Sequence, residues 1–482
     1  MSTITIAWVA LPFFIGFVAY LFPKLDRILA LGIALASAAY ALSLFFGQPP
    51  LTLELLDSFG VTLIVDQLSS YFILTNALVT TAVILYCWHS GKSAFFYAQT
   101  IILHGSLNAV FVCADFISLY VALEVIGIAA FLLITYPRSN RSIWVGLRYL
   151  FVSNTAMLFY LVGAVLVYQV HHSFAFAGLR GAPIEALTLI LMGLLTKGGV
   201  FVSGLWLPLT HSESATPVSA LLSGIVVKAG IFPLVRCALI LDEVDAIVRI
   251  FGVGAAVLGV FYAILEQDNK RTLALSTISQ LGWILAAPEV GGFYALAHGL
   301  VKATLFLSAG ALPSRNIKEL QHQPIDTALW IILVVASLSI SGFPLLVGFG
   351  AKMSTLNNVV SWQAIAMNVA AVGTAVAYAR FIFLPHQRQD GQQEVKFGFW
   401  AASILLIGGL VVANALYYEA YTVANIIKAL AIVGVGWLAY FAIFRRAVLK
   451  LPRVLEQFEH LIGVMSLMLI LLFWMVWTRS GI

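Results

Sequence analysis

Apolar runs of roughly 20 residues, the length that spans the hydrocarbon layer of a membrane, recur about sixteen times between Ile4 and Trp477. No stretch between them is long enough for a soluble domain. With 61% hydrophobic and only 10% charged residues among 482, the chain has too few polar side chains to cover a soluble core of this size. We therefore predict an all-α, multi-pass integral membrane protein with about 14 to 16 transmembrane helices, in a bacterial-type inner or plasma membrane.

The positive charges are distributed unevenly over the connecting loops. Short loops that carry Lys and Arg stay on the cytoplasmic side. Alternate loops, beginning with the first, contain fifteen such residues: Lys24, Arg27, Lys92, Arg138, Arg141, Lys270, Arg271, Arg315, Lys318, Arg388, Lys396, Arg445, Arg446, Lys450 and Arg453. The other connections and the tail hold two, Arg180 and Arg479. With an even helix count, both termini are predicted outside, and since the net charge of +5 follows from this topology, we predict no nucleic-acid partner.

The three cysteines, Cys87, Cys113 and Cys237, lie far apart within or beside apolar segments. They lack the C-x-x-C spacing that would indicate a metal site, an iron–sulfur cluster or a disulfide framework. We therefore predict no metal and no cofactor, and a chain that carries no electrons itself. This favours an ion-transport subunit without redox chemistry of its own over an enzyme.

Ionisable residues occur inside several apolar segments. Lys197 lies near the middle of the apolar segment 189–207, which we expect to be one helix. An ammonium ion at this depth is costly unless it has a partner and a function. Five other residues share this setting: Glu124, Lys228, His298, Lys302 and Lys352. Because a proton path across a membrane needs groups that both take and release protons, we predict that these six residues translocate protons.

Prolines interrupt the segments that carry two of these lysines. Pro208 follows Lys197 and Pro344 precedes Lys352, and a proline inside a helix removes a backbone hydrogen bond. Discontinuous helices in corresponding positions are typical of inverted repeats that hold an ion site. We thus predict two inverted repeats with broken helices near Lys197 to Pro208 and Pro344 to Lys352. The predicted organisation is N-terminal helices over 1–90, a proton-translocating core over 91–385 and C-terminal helices over 386–482.

Three ordered motifs resemble those of a known family. The first comprises GLLTK (193–197), WLPLTHSESATPVSAL (206–221) and GIVVKAG (224–230). The second is DNKRTLALSTISQLG (268–282), and the third is AHGLVKATLFL (297–307). They are similar to the signatures of the antiporter-like membrane subunits shared by respiratory complex I (its L, M and N subunits) and Mrp-type sodium/proton antiporters. The resemblance spans roughly Asn108 to Lys352, and outside that region it lies in hydropathy alone.

The resemblance implies roles for the ionisable residues. Glu124 matches the fifth-helix glutamate that the family pairs with the seventh-helix lysine, here Lys197. Lys228 matches the eighth-helix lysine of the path. His298 and Lys302, four residues apart in the third motif, are expected to be neighbours on one helical face.

Lys352 takes the place of the twelfth-helix residue that ends the family's path toward the outside. That residue is a glutamate in the M type and a lysine in the L, N and Mrp D types. The chain also lacks the long lateral helix of the L and Mrp A types, so the resemblance favours an Mrp D-like or N-like subunit. Arg148 stands where the family usually has lysine, and because arginine keeps its proton we predict a structural ion pair there.

We interpret the chain as a proton-translocating, Mrp D-like subunit of a multisubunit monovalent cation/proton antiporter. Two alternatives stay open: the proton-pumping membrane subunit of a complex I-like NAD(P)H:quinone oxidoreductase or hydrogenase complex, and a stand-alone secondary carrier. The implied partners are homologous antiporter-like and small membrane subunits, the lipid bilayer, protons and Na+. The segment 424–477 has no counterpart in the family's core and is a predicted contact surface for a partner subunit.

Overall fold

The computed structural model describes residues 2–46, 50–56, 60–388, 397–445 and 453–479. The helices of the first half are α1 (Ser2–Leu21), α2 (Asp26–Phe45), α3 (Gln67–Cys87), α4 (Ala94–Val110), α5 (Phe116–Ile134), α6 (Asn140–His171), α7 (Ile184–Lys197), α8 (Leu207–Glu213), α9 (Thr216–Leu221) and α10 (Lys228–Ile240). Those of the second half are α11 (Asp242–Leu265), α12 (Asn269–Ala286), α13 (Gly291–Ala309), α14 (Ile317–Leu320), α15 (Thr327–Ser341), α16 (Val347–Asn358), α17 (Ser361–Ile382), α18 (Phe397–Leu416), α19 (Val423–Ala439) and α20 (Phe458–Arg479). Two small sheets pair β1 (Leu51–Leu56) with β2 (Gly60–Val65) in antiparallel fashion and β3 (Ile325–Asp326) with β4 (His386–Gln387) in parallel.

Thirteen segments of the described chain are long and apolar enough to cross a membrane, when α7–α8 and α9–α10 each count as one. Three further segments lie among them: α4 with 17 residues, the more polar α12, and the broken pair α15–α16. With these three, the described chain has sixteen candidate crossings, and the predicted all-α, multi-pass architecture is confirmed. Every residue of α12 and α13 is buried, because a helix rich in polar groups is tolerated in a bilayer when other helices surround it.

The first helix break lies directly after Lys197, where α7 ends. A short 3-10 turn follows, and α8 begins at Leu207. The expected continuous helix over 189–207 is therefore wrong, since Lys197 ends a helix instead of lying in its middle. Gly199 makes the break: its φ is +68°, and a Cβ there would meet Leu207 at 2.6 Å. Pro208 lies in the first turn of α8, where a missing N–H costs nothing.

The second break lies between α15 and α16, as predicted from Pro344. α15 ends at Ser341, Gly342 takes a left-handed φ of +82°, and α16 begins at Val347. Lys352 follows within α16. The two broken segments are the seventh and twelfth crossings, so they run through the bundle in opposite directions. This agrees with the predicted inverted repeats.

Ion pairs join the positively charged loops at one end of the bundle, which we call the basic end. Arg141 at the start of α6 and Arg315 after α13 both contact Glu213 at the end of α8, at 3.2 and 3.5 Å. Arg453, before α20, contacts Glu266, after α11, at 3.1 Å. The predicted inside loops are thus brought together, while the side of the membrane that they face stays a prediction. Lys396, Arg446 and Lys450 of the predicted set lie outside the described residues.

The C-terminal helices pack against the rest of the chain. α19 lies on α17, and α20 lies on α7, on the 3-10 turn and on α11. Before α20, Glu456 forms a buried ion pair with Arg271 at 2.6 Å. Arg148 donates to the backbone carbonyl oxygen of Glu456, which is a neutral acceptor, so the ion pair predicted for this arginine stays a prediction. Part of the segment 424–477, predicted to contact a partner, is therefore used within the chain itself.

Candidate functional site

Lys197 is held at the point where α5, α6 and α7 meet. As the last residue of α7 it is only 6% exposed. Its Nζ donates to the carbonyl oxygen of Leu123 in α5 at 3.0 Å and to Ser153 Oγ in α6 at 2.5 Å. Gly127, one turn beyond Leu123, leaves room for this ammonium, because a Cβ there would lie 3.4 Å from both Nζ and Ser153 Oγ. The lysine thus has two polar neighbours within hydrogen-bonding distance, and neither is charged.

Glu124 is half-buried beside the polar groups that hold Lys197. It is the charged group that acts electrostatically on Lys197, but in the described part of the chain it makes neither a hydrogen bond nor an ion pair at contact distance. The predicted pairing of Glu124 with Lys197 is therefore a longer-range interaction here. Lys197 instead bonds the backbone carbonyl oxygen of Leu123, the residue before Glu124.

Lys228 and His298 form a buried hydrogen-bonded pair. Lys228 begins α10 after a π-helical turn, Leu222–Val226, and its Nζ donates to the carbonyl oxygen of Gly224. Lys228 Nζ and His298 Nδ1 are 3.1 Å apart. One of these two nitrogens must accept, so the bond cannot form when both carry a full complement of protons. Gly299 allows this approach, because a Cβ there would lie 3.0 Å from the Gly224 carbonyl oxygen.

Lys302 lies on the same helix as His298, one turn further along, but bonds to different helices. Its Nζ donates to the carbonyl oxygen of Leu273 at 2.7 Å, to Ser276 Oγ in α12, and to Tyr378 Oη in α17 at 2.9 Å. Ser276 Oγ and Tyr378 Oη are themselves 2.8 Å apart. All three donor positions of the ammonium are therefore satisfied without a carboxylate.

Lys352 has no hydrogen-bond partner for its Nζ among the residues that the structure describes, although it is only 2% exposed. The Nζ lies 5.0 Å from the centre of the Trp283 ring. Trp283 in turn stacks on Tyr294, with ring centres 5.8 Å apart and an interplanar angle of 9°. The ammonium therefore faces an aromatic surface.

Two small cavities adjoin these side chains. One, of about 10 Å³, is lined by Tyr149, Val152, Ser153, Thr196, Lys197 and Trp206. The other, of the same size, is lined by Gln280, Tyr294, Ala297, His298, Val301, Ile340, Gly348 and Ala351. Each has room for about one water molecule. The second contains His298, whose Nε2 is buried without a partner in the described chain, so water there would extend the row toward α16.

A larger cavity of about 580 Å³ opens at the basic end and is bounded in part by Glu266 and Leu275. Burial tends to raise the pKa of Glu266, but the hydrogen bond and charge of Arg271 outweigh it and hold that pKa below its usual range. Leu275 precedes Ser276, which binds Lys302. The cavity therefore brings solvent and charged groups close to Lys302.

The structure brings the predicted residues together in part: Glu124 lies beside Lys197, Lys228 bonds His298, and the cavity at His298 reaches α16, which carries Lys352. We call the six residues together the row. The structure also adds several side chains that sequence analysis missed. These are Ser153, His211, Gln280, Trp283, Tyr294 and Tyr378. His211 is fully buried between Trp206 and Phe306, with ring centres 6.1 and 6.2 Å away. The motifs quoted above contain both His211 and Gln280, so position within a motif was the available signal for these two.

Comparison with known proteins identifies the family. Residues 113–377, more than half of the chain, match the family model described as NADH:quinone oxidoreductase/Mrp antiporter, TM. The chain belongs to this family. All six residues of the row fall within the matched region, and the predicted resemblance is confirmed.

Several relatives of this antiporter-like chain are components of antiporters or oxidoreductases. The probable A/B component of a K(+)/H(+) antiporter of Rhizobium meliloti is 34% identical over 53% of this chain, which covers 28% of that protein's length. The D component of the Na(+)/H(+) antiporter of Alkalihalophilus pseudofirmus is 23% identical, with 82% of this chain and 89% of that protein covered. The N component of the NADH-quinone oxidoreductase of Desulforudis audaxviator is 28% identical, with 67% and 72% covered.

Solved structures show the same fold in multisubunit membrane complexes. The Mrp complex from Dietzia sp. DQ12-45-1b matches with a TM-score of 0.79 and 22% identity, covering 96% of this chain and 59% of that one. The archaeal membrane-bound sulfane sulfur reductase, a respiratory membrane complex, matches with a TM-score of 0.77 and 20% identity, covering 91% and 99%. At these identities the likeness concerns the fold alone.

Proposed function

We propose that this chain is the D-like, proton-translocating subunit of a multisubunit monovalent cation/proton antiporter. The observation that carries the proposal is the buried row of lysines and a histidine, with Glu124 at one end and Lys352 at the other, in which Lys197 and Lys352 lie at the two helix breaks. The near full-length match to the D component of a Na(+)/H(+) antiporter supports the antiporter assignment over the alternatives. Other membrane subunits of one complex are the proposed partners.

In the proposed cycle, a movement of a neighbouring subunit changes the distance between the Glu124 carboxylate and Lys197, and with it their electrostatic attraction. Lys197 then exchanges a proton with the Lys228–His298 pair, and the proton continues past the cavity beside His298 to Lys352. Desolvation disfavours the charged ammonium while a carboxylate favours it, so small changes in the distance of Glu124 switch the lysine between holding and releasing its proton. This order describes outward proton movement, and in antiport the proton takes the same steps in reverse, from Lys352 to Lys197.

Lys302 supplies a second proposed entrance, from the 580 Å³ cavity at the basic end. The hydroxyl groups of Ser276 and Tyr378 join its ammonium to α12 and α17. We further propose that the basic end faces the cytoplasm and both termini face outside, because short positive loops stay inside. The division into 1–90, 91–385 and 386–482 stays a proposal that assigns the whole row to the middle part.

A redox-driven role is the second candidate, favoured by the 28% identity to the N component of an NADH-quinone oxidoreductase over 67% of the chain. A stand-alone carrier is less well supported, because the two cavities beside the row have room for about one water molecule each rather than a solute. In either multisubunit case we expect the chain to be inactive alone, since separating Glu124 from Lys197 needs work from a neighbour.

The test uses everted vesicles from cells that express the chain with the products of its flanking genes. Added Na+ or K+ should dissipate a pH gradient, and Glu124→Gln or Lys197→Ala should nearly abolish this while assembly persists. Lys352→Ala and Lys352→Arg should both fail, because a guanidinium keeps its proton. The control, Arg148→Lys, should retain most activity. Proton uptake that depends on NADH and not on a cation would instead assign the redox-driven role.

A further inference from the structure

The ammonium of Lys352 lies in an unusual setting for a buried cation. Each of the other three buried lysines of the row bonds at least one oxygen atom. Within the described chain Lys352 Nζ bonds none, and it faces the Trp283 ring at 5.0 Å. We propose that Trp283 is a positioning residue whose indole face holds the protonated Lys352 in the proton path. This inference rests on the proposed function of the row.

The distance and the burial both suit a cation–π interaction. An ammonium within about 6 Å of an indole centre is attracted by the negative face of the ring, and tryptophan binds cations best among aromatic side chains. Trp283 is fully buried and Lys352 nearly so, so little water competes with the ring. Under such conditions the attraction can shift an equilibrium by about 30-fold.

The surrounding residues fix both partners. Trp283 stacks on Tyr294, whose hydroxyl donates to Gln280 Oε1 at 2.6 Å. The stem of Lys352 passes Gly342, where a Cβ would lie 2.9 Å from Lys352 Cδ. The lysine is thus confined between the glycine of the helix break and the face of the indole.

The same residues connect this seat to the rest of the row. Tyr294 precedes His298 by one helical turn, and both line the small cavity that Ala351 also borders. Tyr294 therefore supports the ring under Lys352 on one side and the cavity beside His298 on the other. A proton that passes through this cavity therefore arrives next to Tyr294, the residue on which the Trp283 ring stacks.

Graded fluorination of Trp283 tests the proposal without changing the shape of the side chain. Each fluorine withdraws charge from the face of the ring, so the attraction for a cation weakens while packing is kept. The complex, expressed with the products of its flanking genes, would carry one to four fluorines at position 283. We expect transport to fall stepwise, by about 10- to 30-fold in total.

Trp8 is the matched control. It is buried in α1, stacks on Tyr40 with ring centres 4.2 Å apart, and donates from Nε1 to Ser37. The same fluorine series at Trp8 should leave transport unchanged. Transport that stays constant across the series at Trp283, or that falls equally at both positions, would overturn the proposal.

A second measurement separates this inference from the proposed function. The 19F resonance of a single fluorine on Trp283 should move when Lys352→Met removes the cation, while that of fluorinated Trp8 should not. An unchanged resonance at Trp283 would overturn the proposed contact between Trp283 and Lys352, whatever the transport result. If the unmodified complex carries no protons, the proposed function fails, and the 19F shift alone then decides whether Trp283 holds Lys352.

Discussion

Replacing Ser153 by alanine should impair proton transport, because it removes one of the two hydrogen bonds that hold the Lys197 side chain. The hydroxyl is one of two groups that bond Lys197 Nζ, at 2.5 Å in a site where the lysine is only 6% exposed. A buried hydrogen bond to a charged group contributes about 1.5 to 3 kcal/mol, equivalent to a roughly 10- to 150-fold change in an equilibrium. Because the remaining partner is the Leu123 carbonyl oxygen, water could replace only part of the loss.

The assay is cation-induced dissipation of a pH gradient in everted vesicles, normalised to the amount of assembled complex. Ser153→Ala should lower the rate by about tenfold or more, and Ser153→Thr should restore most of it because the hydroxyl returns. Ser106→Ala is the matched control, since Ser106 is also buried but bonds the Ile102 carbonyl in its own helix. Wild-type rates in Ser153→Ala, in vesicles where Lys197→Ala is inactive, would refute the reasoning.

Three further predictions concern the break and the basic end. Glu456→Gln should lower the stability of the purified complex by about 1.5 to 3 kcal/mol, because Arg271 loses one of its two carboxylate partners and keeps Glu266; equal melting of wild type and Glu456→Gln would contradict this. Gly342→Ala should cost about 1 to 2 kcal/mol from its left-handed backbone and reduce transport, whereas Gly408→Ala, with open space around it, should do neither. The pKa of Glu266 is lowered in the fold, so its contribution to stability is present above the usual carboxyl pKa of about 4.3 and is lost as the pH falls through the lower folded value. Acidification below that range should therefore destabilise wild type more than Glu266→Gln, as measured by thermal unfolding. Identical pH profiles of the two proteins would contradict this prediction.

The sequence predicted the membrane class and the lysine row because those signals are local. Apolar length and a charge inside an apolar run are visible in any window of the chain. The partners of each lysine were not visible, since Tyr378 lies 76 residues from Lys302 and Ser153 lies 44 from Lys197. Contacts at such separations depend on tertiary packing, and serine or tyrosine in an apolar helix carries no mark of its partner.

The helix breaks show the same division between local and tertiary causes. Pro344 correctly indicated the second break. Pro208 correctly indicated the first break, near Lys197 to Pro208, but the proline does not cause it, because a proline in the first turn of a helix fits without distortion. Gly199, whose positive φ ends α7 after Lys197, was not singled out among 37 glycines. A glycine's backbone conformation becomes evident only when the close approach of Leu207 is known.

The ion pair between Arg271 and Glu456 also has a consequence for biosynthesis. The two residues are 185 positions apart, so at about 5 to 20 residues per second roughly 10 to 40 s of translation separate them. During that interval Arg271 can pair with Glu266 but not with Glu456, and Arg148 does not yet have the carbonyl oxygen of Glu456 as an acceptor. The side of the bundle between α6 and α11 therefore stays open on the ribosome until α20 emerges, and the last helix closes a surface made much earlier.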